Sequence, residues 1–175
     1  MSGLTRLYGD DNSRFKMMKV NHNGYTFVTR KNKPVFEGNI KPEAVVIIAQ
    51  DEQGRELITR EFRPIIGKYV YTRPAGMIDE GETPEEAAVR ETFEETGLTL
   101  DVKDATIYDQ TYSTPGLTDE IVAVVTGTVR GNTSRDNLHG DEDIEAFLMD
   151  PDDMMRHGLH KRETPMSIWL ALSLL

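Results

Sequence analysis

A mixed α+β domain of the layered α/β/α type is the fold this sequence predicts. Three observations carry that prediction. Short strand-like runs are separated by hairpin turns, one well-capped helix interrupts them near the middle, and 175 residues suffice for one buried core. No internal repeat, low-complexity tract or linker divides the chain. Residues 43–175 therefore read as the main domain, and residues 1–42 as an N-terminal β-strand extension.

Taken in order, Met1 to Arg14 is polar, with Gly9-Asp10-Asp11-Asn12, and reads as a loose arm. Phe15 to Val20 and Gly24 to Arg30 read as strands around the turn residues Asn21-His22-Asn23-Gly24. Ala44 to Gln50 and Arg55 to Phe62 flank Asp51-Glu52-Gln53-Gly54 and predict a long hairpin. Tyr69 to Arg73 is a short strand leading into a Pro-Ala-Gly turn. The clearest element is a helix: Thr83 is a good N-cap, Pro84 suits the first helical position, and Glu86 completes a capping box. It runs to Thr96, where Gly97 supplies the stop. Further strands are predicted at Asp104–Tyr112, Glu120–Val129 and Ile144–Met149. Asp150-Pro151 opens a short helix, and Ser167 to Leu175 predicts an apolar terminal one.

Composition narrows the function classes. There is no cysteine, which removes disulfides, thiolate zinc sites and a cysteine nucleophile. Lys and Arg number 20 against 30 Asp and Glu, a net charge of -10. Nucleic acid is not an expected partner, because phosphates need basic surface. A phosphate-bearing small molecule stays open, since bound cations reverse the local sign. Apolar runs such as Ala44–Ala49 are far too short to span a membrane. Met1-Ser2-Gly3-Leu4-Thr5-Arg6 lacks an apolar signal region, so a soluble cytoplasmic protein is expected. His157 and His160 sit among basic residues and read as surface.

The predicted helix carries the chemistry. Glu91, Glu94 and Glu95 share one face, while Ala88, Val89, Thr92 and Phe93 can turn toward the core. Adjacent carboxylates repel, and a hard cation such as Mg²⁺ or Mn²⁺ removes the repulsion. A solvated acidic face is the plain alternative. The wider pattern decides between them. Gly76, five residues, Glu82, seven residues, then Arg90-Glu91-Thr92-Phe93-Glu94-Glu95-Thr96-Gly97-Leu98 resembles the Nudix box. All but one of its fixed positions match; the departure is Thr92, where the family usually has an aliphatic residue.

The resemblance extends beyond the box. Arg60-Glu61-Phe62-Arg63-Pro64 with Tyr71-Thr72-Arg73-Pro74-Ala75-Gly76 is similar to the lead-in of ADP-ribose pyrophosphatases. Tyr112 to Glu120, containing Ser113-Thr114-Pro115-Gly116, resembles their Pro-Gly loop. Gly24 to Arg30 is similar to their N-terminal strand. Thr72 and Arg73 depart from the pattern and bear on substrate choice. The resemblance implies a Nudix-fold α/β/α sandwich with mixed sheets over residues 43–175. It also implies metal-dependent attack of water on the diphosphate of a nucleotide sugar, with ADP-ribose giving AMP and ribose 5-phosphate. ADP-glucose and GDP-mannose are the enzymatic alternatives; a non-catalytic ADP-ribose-binding sensor is the alternative from another class.

Carried over by residue, the resemblance implies that Glu91, Glu94, Glu95 and the Ala75 carbonyl hold Mg²⁺, with Mn²⁺ able to substitute. Arg90 would orient a neighbouring carboxylate, and Glu82 would brace the loop. The catalytic base would be Glu142, from Gly140-Asp141-Glu142-Asp143-Ile144, or else Glu120; a plain acidic loop is the alternative for Glu142. Arg63 is the candidate phosphate clamp. Tyr25 or Phe27 would stack on adenine, with Arg30 and Arg73 weaker substrate contacts. Phe15 to Arg30 reads as strands with few long-range partners in a chain this size. With that, the resemblance implies a two-fold homodimer built through residues 1–42, with Tyr25 or Phe27 at or near the partner's site; a monomer with this hairpin folded on its own core is the alternative.

Overall fold

The computed structural model describes residues 3–21, 23–32, 40–103, 105–140 and 142–156. The helix expected at Ser167–Leu175, together with His157 and His160, lies outside the described residues. The chain forms two compact units. One comprises residues 1–43 and 109–123, the other residues 44–108 and 124–175.

The first unit holds an antiparallel sheet of β1 (Leu4–Tyr8), β2 (Lys16–Val20) and β3 (Thr26–Thr29) in that order. Residues 4–8 were expected in a loose arm; pairing with β2 makes them a strand, with Leu4 opposite Val20. Strand alternation sorts the side chains. Met18 and its partner Phe27 are buried, as are Lys16 and its partner Thr29. The Lys16 ammonium is satisfied by the Arg30 carbonyl at 3.0 Å. Tyr8, Met17 and Val28 form a row on the other face, where Tyr8 and Met17 are exposed. These strands do find long-range partners in their own chain, contrary to expectation. Val28 bridges Thr118, and its N–H donates to the Leu117 carbonyl at 2.8 Å.

An eight-stranded sheet is formed largely by the second unit. Its main path runs β11 (Ile144–Met149), β5 (Glu56–Arg63), β4 (Ala44–Gln50), β10 (Ile121–Arg130) and β8 (Thr99–Asp101). β6 (Lys68–Thr72) pairs with β5, β7 (Ala75–Met77) with β4, and β9 (Ile107–Tyr112) with β10. Ala75–Met77, expected as a turn, is a strand because its backbone pairs with Ala44–Val46. β4 alternates strictly, so Val45, Ile47 and Ala49 are buried. Helix α1 (Pro84–Thr96) packs on β4, β7 and β8. Helix α2 (Pro151–Arg156) buries Met154 against Ile58, with Tyr71 and Met149 beside it.

Candidate active site

The start of α1 is set by local bonds. The Thr83 hydroxyl accepts from the Glu86 N–H at 3.3 Å, and the Glu86 carboxylate accepts from the Thr83 N–H at 2.9 Å. At the other end Gly97 adopts φ 75, and its N–H donates to the Phe93 carbonyl at 2.9 Å. This phase turns Ala88, Thr92 and Thr96 into the core. The Thr92 hydroxyl is satisfied there by the Ala88 carbonyl at 2.7 Å, so the departure from the box pattern leaves no orphan polar group. Phe93, expected on the core side, is 51% exposed. One residue past Thr92 turns it about 100° off the buried stripe.

The opposite face gathers charge around Arg90. Its guanidinium donates to Glu82 Oε1 and Oε2, both at 2.9 Å, and to the Met77 carbonyl at 2.8 Å. It also reaches Glu91 Oε1 at 2.8 Å and Glu94 Oε2 at 3.0 Å. Glu82 in turn accepts from the Asp79 N–H at 3.0 Å, which ties the loop before α1 to the helix. Glu95 accepts from the Ala75 N–H at 3.2 Å. Burial pushes the Glu95 carboxyl up to about 8, and the charges of Glu91, Glu61 and Glu142 add to that effect. Glu91 is raised by burial and by Glu94 and Glu142, with Arg90 opposing. Gly76 matters here for lack of a side chain, since a Cβ would overlap the Glu91 carboxyl.

Glu61 joins this group, although sequence reasoning gave it no role. It lies on β5, its carboxyl is raised by burial and by Glu142, and Arg63 opposes the rise. Arg63 itself is exposed and ion-paired with Glu61 at 2.7 Å. Glu142 is exposed in the loop before β11. Its carboxylate accepts from the His139 N–H at 3.0 Å, and its N–H donates to the His139 carbonyl at 3.2 Å. The His139 ring lies 3.5 Å from Glu94 Oε1. His139 was also missed, because only the folded loop brings it to α1.

The remaining candidates lie elsewhere. Tyr25, Phe27, Arg30 and Glu120 belong to the first unit. Tyr25 is exposed, its hydroxyl donating to the Gly116 carbonyl at 2.5 Å, whereas Phe27 is buried. Arg30 pairs with Glu120 and lies over the Phe15 ring at 5.2 Å. The other Glu120 oxygen accepts from the Ser113 hydroxyl at 2.6 Å. Arg73, in the second unit, is 3% exposed and bonded to buried Glu56 at 2.6 Å and to the Leu57 carbonyl at 3.0 Å. A side chain so placed cannot contact substrate, which corrects its reading as a ligand candidate.

The donors around α1 suit a hard divalent cation. They are carboxylate oxygens whose mutual repulsion and burial already favour protonation, and a dication relieves both. In the described side-chain arrangement no three acidic or histidine groups close into a metal shell. Arg90 and the Ala75 N–H hold the carboxylates instead.

Comparison with known proteins agrees with this geometry. A family model described as NUDIX domain matches residues 40–170. Over 83 residues the chain is 39% identical to an ADP-ribose pyrophosphatase of Bacillus subtilis (strain 168), covering 47% of this chain and 44% of that protein. It is 35% identical over 112 residues to an ADP-sugar pyrophosphatase of Mus musculus, covering 59% of this chain and 45% of that protein. The chain thus spans about half the length of the curated relatives it matches. The crystal structure of an ADP compounds hydrolase aligns with a TM-score of 0.60 at 20% identity, over 92% of this chain and 82% of that one, a likeness of fold. With the box realised as a capped, carboxylate-bearing helix inside the matched region, the chain belongs to the NUDIX domain family.

Proposed function

We propose that this chain is a Nudix pyrophosphatase that cleaves the diphosphate of a nucleoside diphosphate sugar, with ADP-ribose giving AMP and ribose 5-phosphate. The observation that carries the reading is the crowding of carboxylates beside Arg90, where burial and the charge of Glu142 raise Glu61, Glu91 and Glu95, and Glu91 and Glu61 add to the rise at Glu95. The names of the relatives support the substrate class. Nudix hydrolases generally depend on a divalent metal. Here we assign Mg²⁺, with Mn²⁺ able to substitute, to Glu91, Glu94, Glu95 and the Ala75 carbonyl. Such a cation supplies neutralisation of the diphosphate oxygens and acidifies water.

The chain's own residues do the rest. Arg90 holds Glu91 and Glu94 in place. Glu142 accepts a proton from the attacking water as its oxygen bonds to phosphorus and the bridging P–O bond breaks. Arg63 supplies an exposed guanidinium for phosphate oxygens. Glu142 is favoured over Glu120 as base because both Glu120 oxygens are engaged, by Arg30 and Ser113. Tyr25, with its exposed ring, is the aromatic candidate for the base of the nucleotide. The proposal includes a two-fold homodimer built through residues 1–42 and a cytoplasmic setting. Among the described residues no helix is long and apolar enough to cross a membrane.

The test is phosphate release, coupled to a phosphatase, from ADP-ribose, ADP-glucose and GDP-mannose with Mg²⁺. ADP-ribose should be the best substrate, and Glu94→Gln or Glu95→Gln should lower kcat by on the order of a hundredfold or more. Glu142→Gln should cost more in kcat than Glu120→Gln. Tight ADP-ribose binding with no release from any nucleotide sugar would replace the enzyme by a sensor.

A further inference from the structure

Glu142 stands where other carboxylates repel it. Its charge raises the proton affinity of Glu61, Glu91 and Glu95, and its loop partner His139 touches Glu94. A loop carrying a negative charge toward such a group needs an anchor besides the bonds Glu142 makes to the His139 backbone. The next residue supplies the hold. One Asp143 oxygen accepts from Arg135 Nη2 at 2.9 Å, and the other accepts from the Tyr69 hydroxyl. The Asp143 carbonyl accepts from the Phe62 N–H at 3.3 Å, continuing the β5–β11 ladder in which Ile144 faces Glu61. Arg135 and Asp143 are the two ends of a loop that bears His139 at its middle and Glu142 beside its far end, so their pairing closes that loop. The Tyr69 ring is itself flanked, with Phe62 edge-on at 5.3 Å and the Arg60 guanidinium 4.0 Å from its ring centroid.

We propose that Asp143, clamped between Arg135 and the Tyr69 hydroxyl, is a positioning residue that holds Glu142 beside the carboxylates of α1. The inference rests on the reading of Glu142 as the group that takes the proton from water. Both Arg135 and Asp143 are about half exposed, and open ion pairs of this kind add little to stability. The clamp therefore acts on placement, and its removal should leave the fold intact. The Asp143 carboxyl is held below the usual carboxylate range by Tyr69 and Arg135, so the clamp stays charged at neutral pH.

The test uses the full chain with Mg²⁺ and ADP-ribose, and the variants Tyr69→Phe and Asp143→Ala, each alone and combined with Glu142→Gln. Tyr69→Phe keeps the ring against Phe62 and Arg60 and removes only the hydroxyl, which guards against loss of fold. Each variant should lower kcat, by on the order of tenfold for Asp143→Ala, with KM unchanged. In the Glu142→Gln background neither should lower kcat further, because there is no longer a base to misplace. Amide exchange measured by mass spectrometry should quicken through residues 138–142 in both variants. Equal kcat losses in the two backgrounds, or unchanged exchange in that segment, would overturn the clamp. Wild-type turnover in Glu142→Gln alone rejects the role of Glu142, and the positioning role falls with it, even where exchange quickens.

Discussion

At Gly76 the requirement is room. Its backbone is not in the left-handed region, so conformational freedom does not explain the residue. A Cβ there would overlap the Glu91 carboxyl, the far end of a flexible side chain that can move aside. Gly76→Ala should therefore fold with a near-wild-type Tm while Mg²⁺ affinity falls by on the order of tenfold, as read by titration calorimetry. Unchanged affinity would separate Gly76 from the Glu91 site. Glu95 gives a pH signature of opposite sign to that of most buried acids in ion pairs. Burial pushes it up to about 8, above the ordinary carboxyl value of 4.5, so the folded chain binds the proton more tightly. That contribution is complete below about 4.5 and is lost as pH rises through about 8. With divalent ions chelated, Tm should fall across this window in the wild type and much less in Glu95→Gln, and the variant should be the more stable at the upper end. A parallel pair of profiles would show that Glu95 titrates normally. The box residues were legible because their spacing maps directly onto one helix face. Glu61 and His139 were not, since β-pairing and loop closure bring them to that face. Arg73 was misread because its residue type suits a ligand contact, while only the fold shows it sealed beside Glu56.

Among the elements, the ends of α1 were readable because a capping box and a C-terminal glycine are local chemistry. β4 was readable because alternation at period two survives in sequence. β1, β7 and β8 were not, for they are short and exist through pairing more than propensity. Ala75-Gly76-Met77 has little strand character and is a strand only opposite Ala44–Val46. What braces that region is the buried pair of Arg73, just before β7, and Glu56, at the start of β5. The pair is imperfect: among the described residues Arg73 Nε and Nη2 find no hydrogen-bond partner, while the Glu56 carboxylate also accepts from the Gln50 amide. Removing one partner strands a buried charge, so Arg73→Met should cost about 3–5 kcal/mol in urea unfolding. Arg73→Met with Glu56→Leu should recover most of that loss, because two apolar groups need no partners. A double variant no more stable than the single one would show that the pair earns its burial by net attraction.

For the molecule as a whole, the first unit draws residues 109–123 together with residues 1–43, an association that no local pattern encodes. Val28 with Thr118, Arg30 with Glu120 and Lys31 with Asp119 carry it. The N-terminal strands are therefore not short of partners, and the case for a second copy must rest on what they leave exposed. That is the row of Tyr8, Met17 and Val28 across β1, β2 and β3, where Tyr8 is 75% and Met17 43% exposed. Leu7, Phe15 and Tyr25 add further exposed apolar surface to the same small unit. A net charge of -10 opposes association of two copies, so the contact must be apolar and should tighten as salt screens the repulsion. Light scattering should give twice the chain mass for the wild type, with the monomer fraction falling as salt rises. Met17→Glu places a charge at the centre of the row while leaving the buried Met18–Phe27 side untouched, so it should fold and scatter as a monomer. If the wild type is a monomer, or if Met17→Glu remains a dimer with the same salt response, the interface does not lie on this sheet.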